Sequence, residues 1–153
     1  MCVLQHGTSF LLLKRSKEPN RNAYTPVGGK LKPFESPRRA AIREVHEEAG
    51  VTLQALKYCG TLTENSPTHY NWTGYVYLAH IDLIPPPKCA EGILEWISIA
   101  RLPEIFTPRT DVFMYRYILE NRPFAFNADY DSKLNLIALH EEVEDRMLYT
   151  LDR

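Results

Sequence analysis

With 153 residues the chain is long enough for one domain with its own core and short for two. Hydrophobic residues make up 44% and charged residues 24%, an ordinary globular usage that argues against a disordered chain or a fibrous repeat. The 18 Lys and Arg against 19 Asp and Glu leave a formal net charge of −1 and so no field for holding long nucleic acid; an anionic small molecule has to be met by a local site.

Taken in chain order, Val3-Leu4 and Phe10 to Leu13 flank His6-Gly7-Thr8-Ser9, a pattern that predicts an opening hairpin. Met1 to Phe10 lacks a continuous apolar signal core, and no run approaches the ~20 apolar residues of a membrane span. Cys2, Cys59 and Cys89 are odd in number and outside any CxxC spacing, which argues for a reducing compartment. The expectation is a soluble, cytoplasmic protein with no membrane partner, a monomer or a homodimer.

Ser16 to Asn22 reads as a polar loop broken by Pro19 and Asn20. Val27 to Leu31 then passes through Gly28 and Gly29, where backbone can approach a ligand closely. Ser36 suits a helix N-cap and Pro37 its first position, good helix formers run to Ala49, and Gly50 sits where a terminating glycine belongs. Ile42, Val45 and Ala49 form the face that packs on a sheet.

Strands are predicted over Leu56 to Thr63, Trp72 to Ile84 and Ile93 to Ile99, the second stopped by Pro85-Pro86-Pro87. Thr110 to Glu120 reads as a helix, Phe124 to Tyr130 as a strand, and about 140–150 as a terminal helix centred on His140 to Leu148. Strands and helices interleave without strict βαβ alternation. The expected class is α/β, a single domain over 1–153 with a mixed sheet and helices on both faces.

The chemistry concentrates in the first long helix. Glu44, Glu47 and Glu48 stand at i, i+3 and i+4 and share one face, where three like charges destabilise an isolated helix. A hard divalent cation removes that repulsion, and Mg²⁺ (or Mn²⁺ in its place) suits a few carboxylates together with water and substrate phosphate. The glycine pair just upstream lets backbone and cation converge on one phosphate chain. From Gly29 the spacing is five residues, Glu35, seven residues, then Arg43-Glu44-Val45-His46-Glu47-Glu48-Ala49-Gly50-Val51. With each fixed residue at about 1 in 15 and each apolar slot at about 1 in 3, chance gives roughly 10⁻⁹ per start.

That spacing, G-x5-E-x7-R-E-U-x-E-E-x-G-U with U an apolar aliphatic, resembles the Nudix box at every specified position. The resemblance extends over about residues 3–131. Tyr24 to Lys30 looks like the family's approach to the loop, Glu91 to Trp96 looks like a strand entry of MutT-like members, and Thr110 to Phe113 with Pro123 to Asp131 resembles a subgroup of 8-oxo-dGTP diphosphatases. It implies the Nudix fold, an α/β/α sandwich around a mixed β-sheet.

Residue by residue, the resemblance implies Glu44, Glu47 and Glu48 as metal carboxylates, the Gly28 carbonyl as a further ligand, and Glu35 as a contact to metal directly or through water. Arg43 would orient a box glutamate, and Glu91 would be an additional ligand or the general base, a task shared with Glu47. Gly29 and Lys30 would meet phosphate. Thr110-Asp111 would read a base edge, with an aromatic among Tyr70, Trp72, Tyr75 and Tyr77 as a stacking partner; Arg109 departs from the small or acidic residue common nearby in that subgroup. The implied reaction is Mg²⁺-dependent hydrolysis of a nucleoside diphosphate-linked substrate, foremost a nucleoside triphosphate, including oxidised purine forms, to monophosphate and pyrophosphate. ADP-ribose or dinucleoside polyphosphate hydrolysis and nucleotide sensing without turnover are the competing readings.

Overall fold

Two runs of adjacent apolar residues set the centre of the sheet. Cys2 to Leu4 and Phe10 to Leu13 are all buried, which strands accept only when other layers cover both faces. The computed structural model describes residues 1–68 and 71–151, and there these runs form β1 (Cys2–His6) and β2 (Ser9–Arg15), the expected hairpin. His69 and Tyr70 lie outside the described residues.

The other elements are β3 (Tyr24–Thr25), α1 (Pro37–Ala49), β4 (Lys57–Asn65), β5 (Trp72–His80), β6 (Lys88–Cys89), β7 (Gly92–Ser98), a 3₁₀ turn at Ile99–Glu104, α2 (Arg109–Leu119), β8 (Phe124–Tyr130), β9 (Leu136–Glu141) and β10 (Arg146–Thr150). Among the described residues the strands form one sheet in the order β10-β9-β8-β4-β5-β1-β2-β7-β6, with β3 also on β2. β1 runs parallel to β5 and β4 to β8, whereas the other pairs are antiparallel, so the sheet is mixed.

Alternation along β1 and β2 sends side chains to two cores. Leu4, Leu11 and Leu13 pack with Ala41, Val45 and Ala49 of α1. Val3, Phe10 and Leu12 pack with Met114, Tyr115, Tyr117 and Ile118 of α2. The α/β/α sandwich therefore follows from one hairpin whose two faces need separate helices. No helix among the described residues is long and apolar enough to cross a membrane.

Two expectations are corrected. The run to Ile84 ceases to be a strand at His80, because its parallel partner ends there, with Gln5 facing His80. The terminal helix over about 140–150 is a hairpin instead, β9 and β10. The acidic run looks helical locally, yet Leu136 and Leu139 are buried and β9 completes the hydrogen bonding of β8. Glu141 anchors the turn: fully buried, its carboxylate accepts from the backbone N–H of Ala125 (3.1 Å), Val143 (3.1 Å) and Glu144 (2.6 Å). Those donors offset the cost of burying a carboxylate.

Replacing Glu141 by Ala strands three backbone donors. At ~1.5–3 kcal/mol for a hydrogen bond to a charged group, with partial relaxation, a loss of about 3 kcal/mol is expected. That corresponds to a melting temperature lower by ~6–12 °C. Glu141→Gln is expected to lose less, and thermal melts of both variants check the turn's role.

Candidate active site

Helix α1 begins and ends as its sequence dictates. Ser36 Oγ accepts from the Arg39 N–H at 3.4 Å, and Gly50 adopts φ 68 while its N–H caps the His46 carbonyl at 3.0 Å. With Val45 and Ala49 committed to the sheet, Glu44, Glu47 and Glu48 lie along the loop that runs from Gly28 to Glu35. Gly29 packs directly on the Glu44 carboxylate, leaving no room for a Cβ.

Arg43 is the hub of this loop–helix contact. Its Nε and Nη2 grip both oxygens of Glu35 at 2.8 Å each, and Nη2 also donates to the Lys30 carbonyl at 3.1 Å. Its Nη1 reaches Glu44 at 2.5 Å and Glu47 at 3.0 Å. The fork-to-carboxylate geometry is the strong bidentate kind. Glu35, which also accepts from the Lys32 N–H at 2.9 Å, has its carboxyl lowered to about 2, first by Arg43 and then by that backbone donor. Lys32 Nζ stands 3.4 Å from the second oxygen of Glu47.

Glu48 differs from its neighbours. It is buried, takes the Gly28 N–H at 3.2 Å, and has its carboxyl pushed up to about 7, mainly by burial and further by the charges of Glu44 and Glu91. Glu91 thus belongs to the same electrostatic neighbourhood. Its side chain is half-exposed and meets Lys17 Nζ at 3.1 Å, while its backbone carbonyl takes the Ser16 N–H and hydroxyl. Among the described residues no three His, Cys, Asp or Glu side chains close into a ready metal cluster. Arg43 draws Glu44 and Glu47 toward itself, and Glu48 turns to the Gly28 amide. The donor set nevertheless fits Mg²⁺: it is all oxygen, and one of its carboxyls is raised to about 7 mainly by burial and further by its acidic neighbours, a group that a nearby cation would return to its charged form.

A second polar constellation lies on the other face of the sheet. Thr110 and Asp111, in the first turn of α2, are buried. Glu64, also buried, faces α2 from the end of β4, takes the Tyr130 hydroxyl at 2.5 Å, and lies close enough to Asp111 for its charge to be felt there. Burial first and Glu64 second raise the Asp111 carboxyl well above its ordinary value. Trp72 pairs with Glu64 across β4 and β5, so both side chains share this face, whereas Tyr77 belongs to the α1-side core. Tyr70 is outside the described residues. Arg109 stacks on Tyr149 of the terminal hairpin, 4.6 Å from the ring centre. The N-terminal stretch runs between the glycine loop and β5: Cys2 N–H donates to Val27 O at 2.7 Å, and the Met1 amino nitrogen donates to Tyr75 O at 2.8 Å.

Sequence reasoning missed Glu64 and Lys32. Glu64 follows Leu62 by two in a strand, which puts a carboxylate on the buried face, and that alternation was the available signal. Lys32 carried no signal beyond its place in the loop.

The raised Glu48 carboxyl has a consequence for stability. The unfolded chain releases this proton near 4.5 and the folded chain near 7, so the folded state holds more protons between them. The contribution is complete below the unfolded value and is lost as pH rises through the folded one. In chelator-treated protein the melting temperature of Glu48→Gln, relative to wild type, is therefore expected to climb between pH 5 and pH 8. Paired melts across that range check this, and a constant difference refutes it.

Comparison with known proteins places the arrangement. Residues 1–119 match the family model described as the NUDIX domain. The human diphosphoinositol polyphosphate phosphohydrolase 3-alpha is 39% identical over 100 residues, covering 63% of this chain and 53% of that protein. The NAD-capped RNA hydrolase NudC of Pseudomonas putida (strain GB-1) is 28% identical over 120 residues, covering 78% of this chain and 42% of that one. The chain thus spans about half the length of these curated relatives or less. The crystal structure of a MutT mutator protein from Bacillus halodurans shares the fold with a TM-score of 0.82 at 21% identity, over 93% of this chain and 95% of that one. The box, the sandwich and a family match over most of the chain agree, and the chain belongs to the Nudix family.

Proposed function

We propose that the protein hydrolyses the phosphoanhydride of a nucleoside diphosphate-linked substrate, foremost a purine nucleoside triphosphate, to a monophosphate and pyrophosphate. The observation that carries this reading is the row of Glu48, Glu44 and Glu47 laid against the Gly28–Lys32 backbone around Arg43. Such a row suits Mg²⁺ held by Glu44, Glu47 and Glu48, with Gly28 and Glu35 beside them. Bound there, the cation would neutralise charge on the attacking and leaving oxygens.

The chain's own groups do the rest. Arg43 orients Glu44 and Glu47, Gly29 lets the Glu44 carboxylate lie against the loop backbone, and Lys30 and Lys32 are flanking cations for the phosphate chain. A water oxygen forms the new bond to phosphorus while the bridging P–O bond breaks and leaves with pyrophosphate. The water's proton passes to a carboxylate, Glu47 or Glu91, both of which reach solvent. The relatives' names span inositol phosphates and capped RNA, so the substrate has to be argued from this chain's own residues.

Asp111 supplies that argument. Burial first and Glu64 second raise its carboxyl well above the ordinary value; in a protonated form it would offer an O–H donor and a C=O acceptor side by side, with the Glu64 carboxylate as a further acceptor. A purine edge presents donors and acceptors in that adjacency, and Trp72 on the same face can stack the ring. The setting is a small-molecule, cytoplasmic one, with no role for long nucleic acid.

A panel of nucleotides with Mg²⁺, following pyrophosphate against phosphate release, tests the activity. Glu47→Gln or Glu48→Gln is expected to lower kcat by ~10³ or more, about 4 kcal/mol, with an unchanged circular dichroism spectrum. Near-native turnover in both variants would remove the assignment. Asp111→Ala is expected to lower kcat/KM for the preferred purine nucleotide ~10-fold or more while a poor pyrimidine substrate changes little. An even loss over all bases with a lower melting temperature would instead make Asp111 a purely structural residue.

A further inference from the structure

Arg109 opens α2 at the end of a helix where a cation is least welcome. The dipole places positive charge there, and Pro108 before it offers no side-chain cap. The guanidinium instead covers the Tyr149 ring of β10, 4.6 Å from its centre.

A β-bulge makes that contact. β10 pairs Met147 with His140 and Tyr149 with Leu139, so Leu148 is an extra residue in the strand. In regular register Tyr149 would share the face of Ala138, away from α2. The bulge returns it to the face of Leu139, which packs in the same core as Met114 and Tyr117 of α2. Arg146 stands opposite Glu141 and donates to the Tyr117 hydroxyl at 2.9 Å. Helix positions 109 and 117 are about 12 Å apart along the axis, and strand positions 146 and 149 about 10 Å, so β10 runs beside α2 and clasps it near both ends.

The clasp at the N-terminal end bears on the second polar constellation. Asp111 is buried two residues after Arg109, close enough to Glu64 for that charge to be felt. Glu64 in turn takes the Tyr130 hydroxyl of β8 at 2.5 Å. On the far flank the chain entering α2 is tied to β3, where Phe106 O takes the Tyr24 N–H at 2.8 Å and Thr107 Oγ1 donates to Tyr24 O at 2.7 Å. The first turn of α2 is thus held from one side by β3 and from the other by the terminal hairpin.

We propose that Arg109 and Tyr149 are a positioning pair that fixes this first turn, and with it Asp111 relative to Glu64, so that the terminal hairpin governs how sharply the site discriminates between bases. This rests on the base-reading role argued for Asp111 above. Neither residue touches the substrate; each acts through the helix.

The test measures kcat and KM for ATP, GTP and CTP with Mg²⁺ in wild type, Arg109→Ala, Tyr149→Ala, the double variant, Tyr149→Phe and Arg146→Ala. Calorimetric Kd values for the same nucleotides are taken in a Glu47→Gln background, and each variant is melted. A cation–π contact at an exposed site sets the expected size: either alanine lowers the preference for the better purine over CTP ~2–5-fold, through KM and Kd with kcat retained. The double variant is expected to lose no more than either single one, and Tyr149→Phe to keep the preference because its ring face remains. Arg146→Ala loosens the other end of α2 and is expected to leave the preference unchanged. An unaltered preference in both alanine variants overturns the proposal. An even loss over all three nucleotides, or an equal loss of preference in Arg146→Ala, does the same by making the clasp purely structural. Should wild type cleave none of the three, the hydrolase reading fails, and the ratio of Kd values with and without Tyr149 decides this one; equal binding of all three by wild type overturns it together with the base-reading role.

Discussion

The guanidinium of Arg43 is the contact on which the rest of the site depends. Four carboxylates, Glu35, Glu44, Glu47 and Glu48, lie on or beside one helix, an arrangement that repels itself. Arg43 touches three of them and the Lys30 carbonyl as well. It thereby ties the whole loop from Lys30 to Glu35 to the second turn of α1. A lysine could supply the charge but not the planar fork that holds two oxygens of Glu35 and still reaches Glu44 and Glu47. Remove the fork, and the glycine backbone and the carboxylate row lose their common reference.

The sandwich explains why the polar chemistry is split in two. β1 and β2 are apolar on both faces, so the sheet centre cannot host a site, and polar groups are pushed to the strand ends and the loops. On the α1 side the glycine loop takes that place. On the α2 side Glu64 sits at the end of β4, with Asp111 opposite on the first turn of α2. The two groups differ in electrostatic character. The first is densely charged and clamped by cations, which suits phosphate and its counter-ion. The second is buried and pushed toward its protonated form, which suits a neutral base edge.

What could be read from the chain alone follows from the range of the interactions. Helix α1 was legible to the residue because its start, stop and carboxylate spacing are all local: Ser36-Pro37, Gly50, and Glu44/Glu47/Glu48. The β1–β2 hairpin was legible for the same reason. The terminal hairpin was not, since what makes 136–150 extended is the open edge of β8 and the three amides that meet Glu141, none of which a local window contains. Asp111 could be singled out by its place at a helix start, but its electrostatic coupling to Glu64 joins residues 47 apart in the chain and needed the fold.

Exposure also divides the labour among the carboxylates. A general base has to reach water and pass its proton to solvent. Glu48 is buried and so poorly placed for that; it is better placed to answer a cation, since a positive charge nearby would bring its raised carboxyl back toward the ordinary range. Glu44 is enclosed by Gly29 on one side and Arg43 on the other, a setting for a fixed ligand. Glu47 and Glu91 remain, both half-exposed and each paired with an exposed lysine, Lys32 and Lys17 respectively. Exposed pairs of this kind are weak and exchange readily with water. Glu47 is further held by Arg43, whereas Glu91 lies in the two-residue turn between β6 and β7, outside the reach of Arg43, with Lys17 on its side chain and Ser16 on its backbone carbonyl. On the proposed reading, the carboxylate that Arg43 holds beside Glu44, Glu47, would serve as the ligand, and the one outside that network, Glu91, as the base.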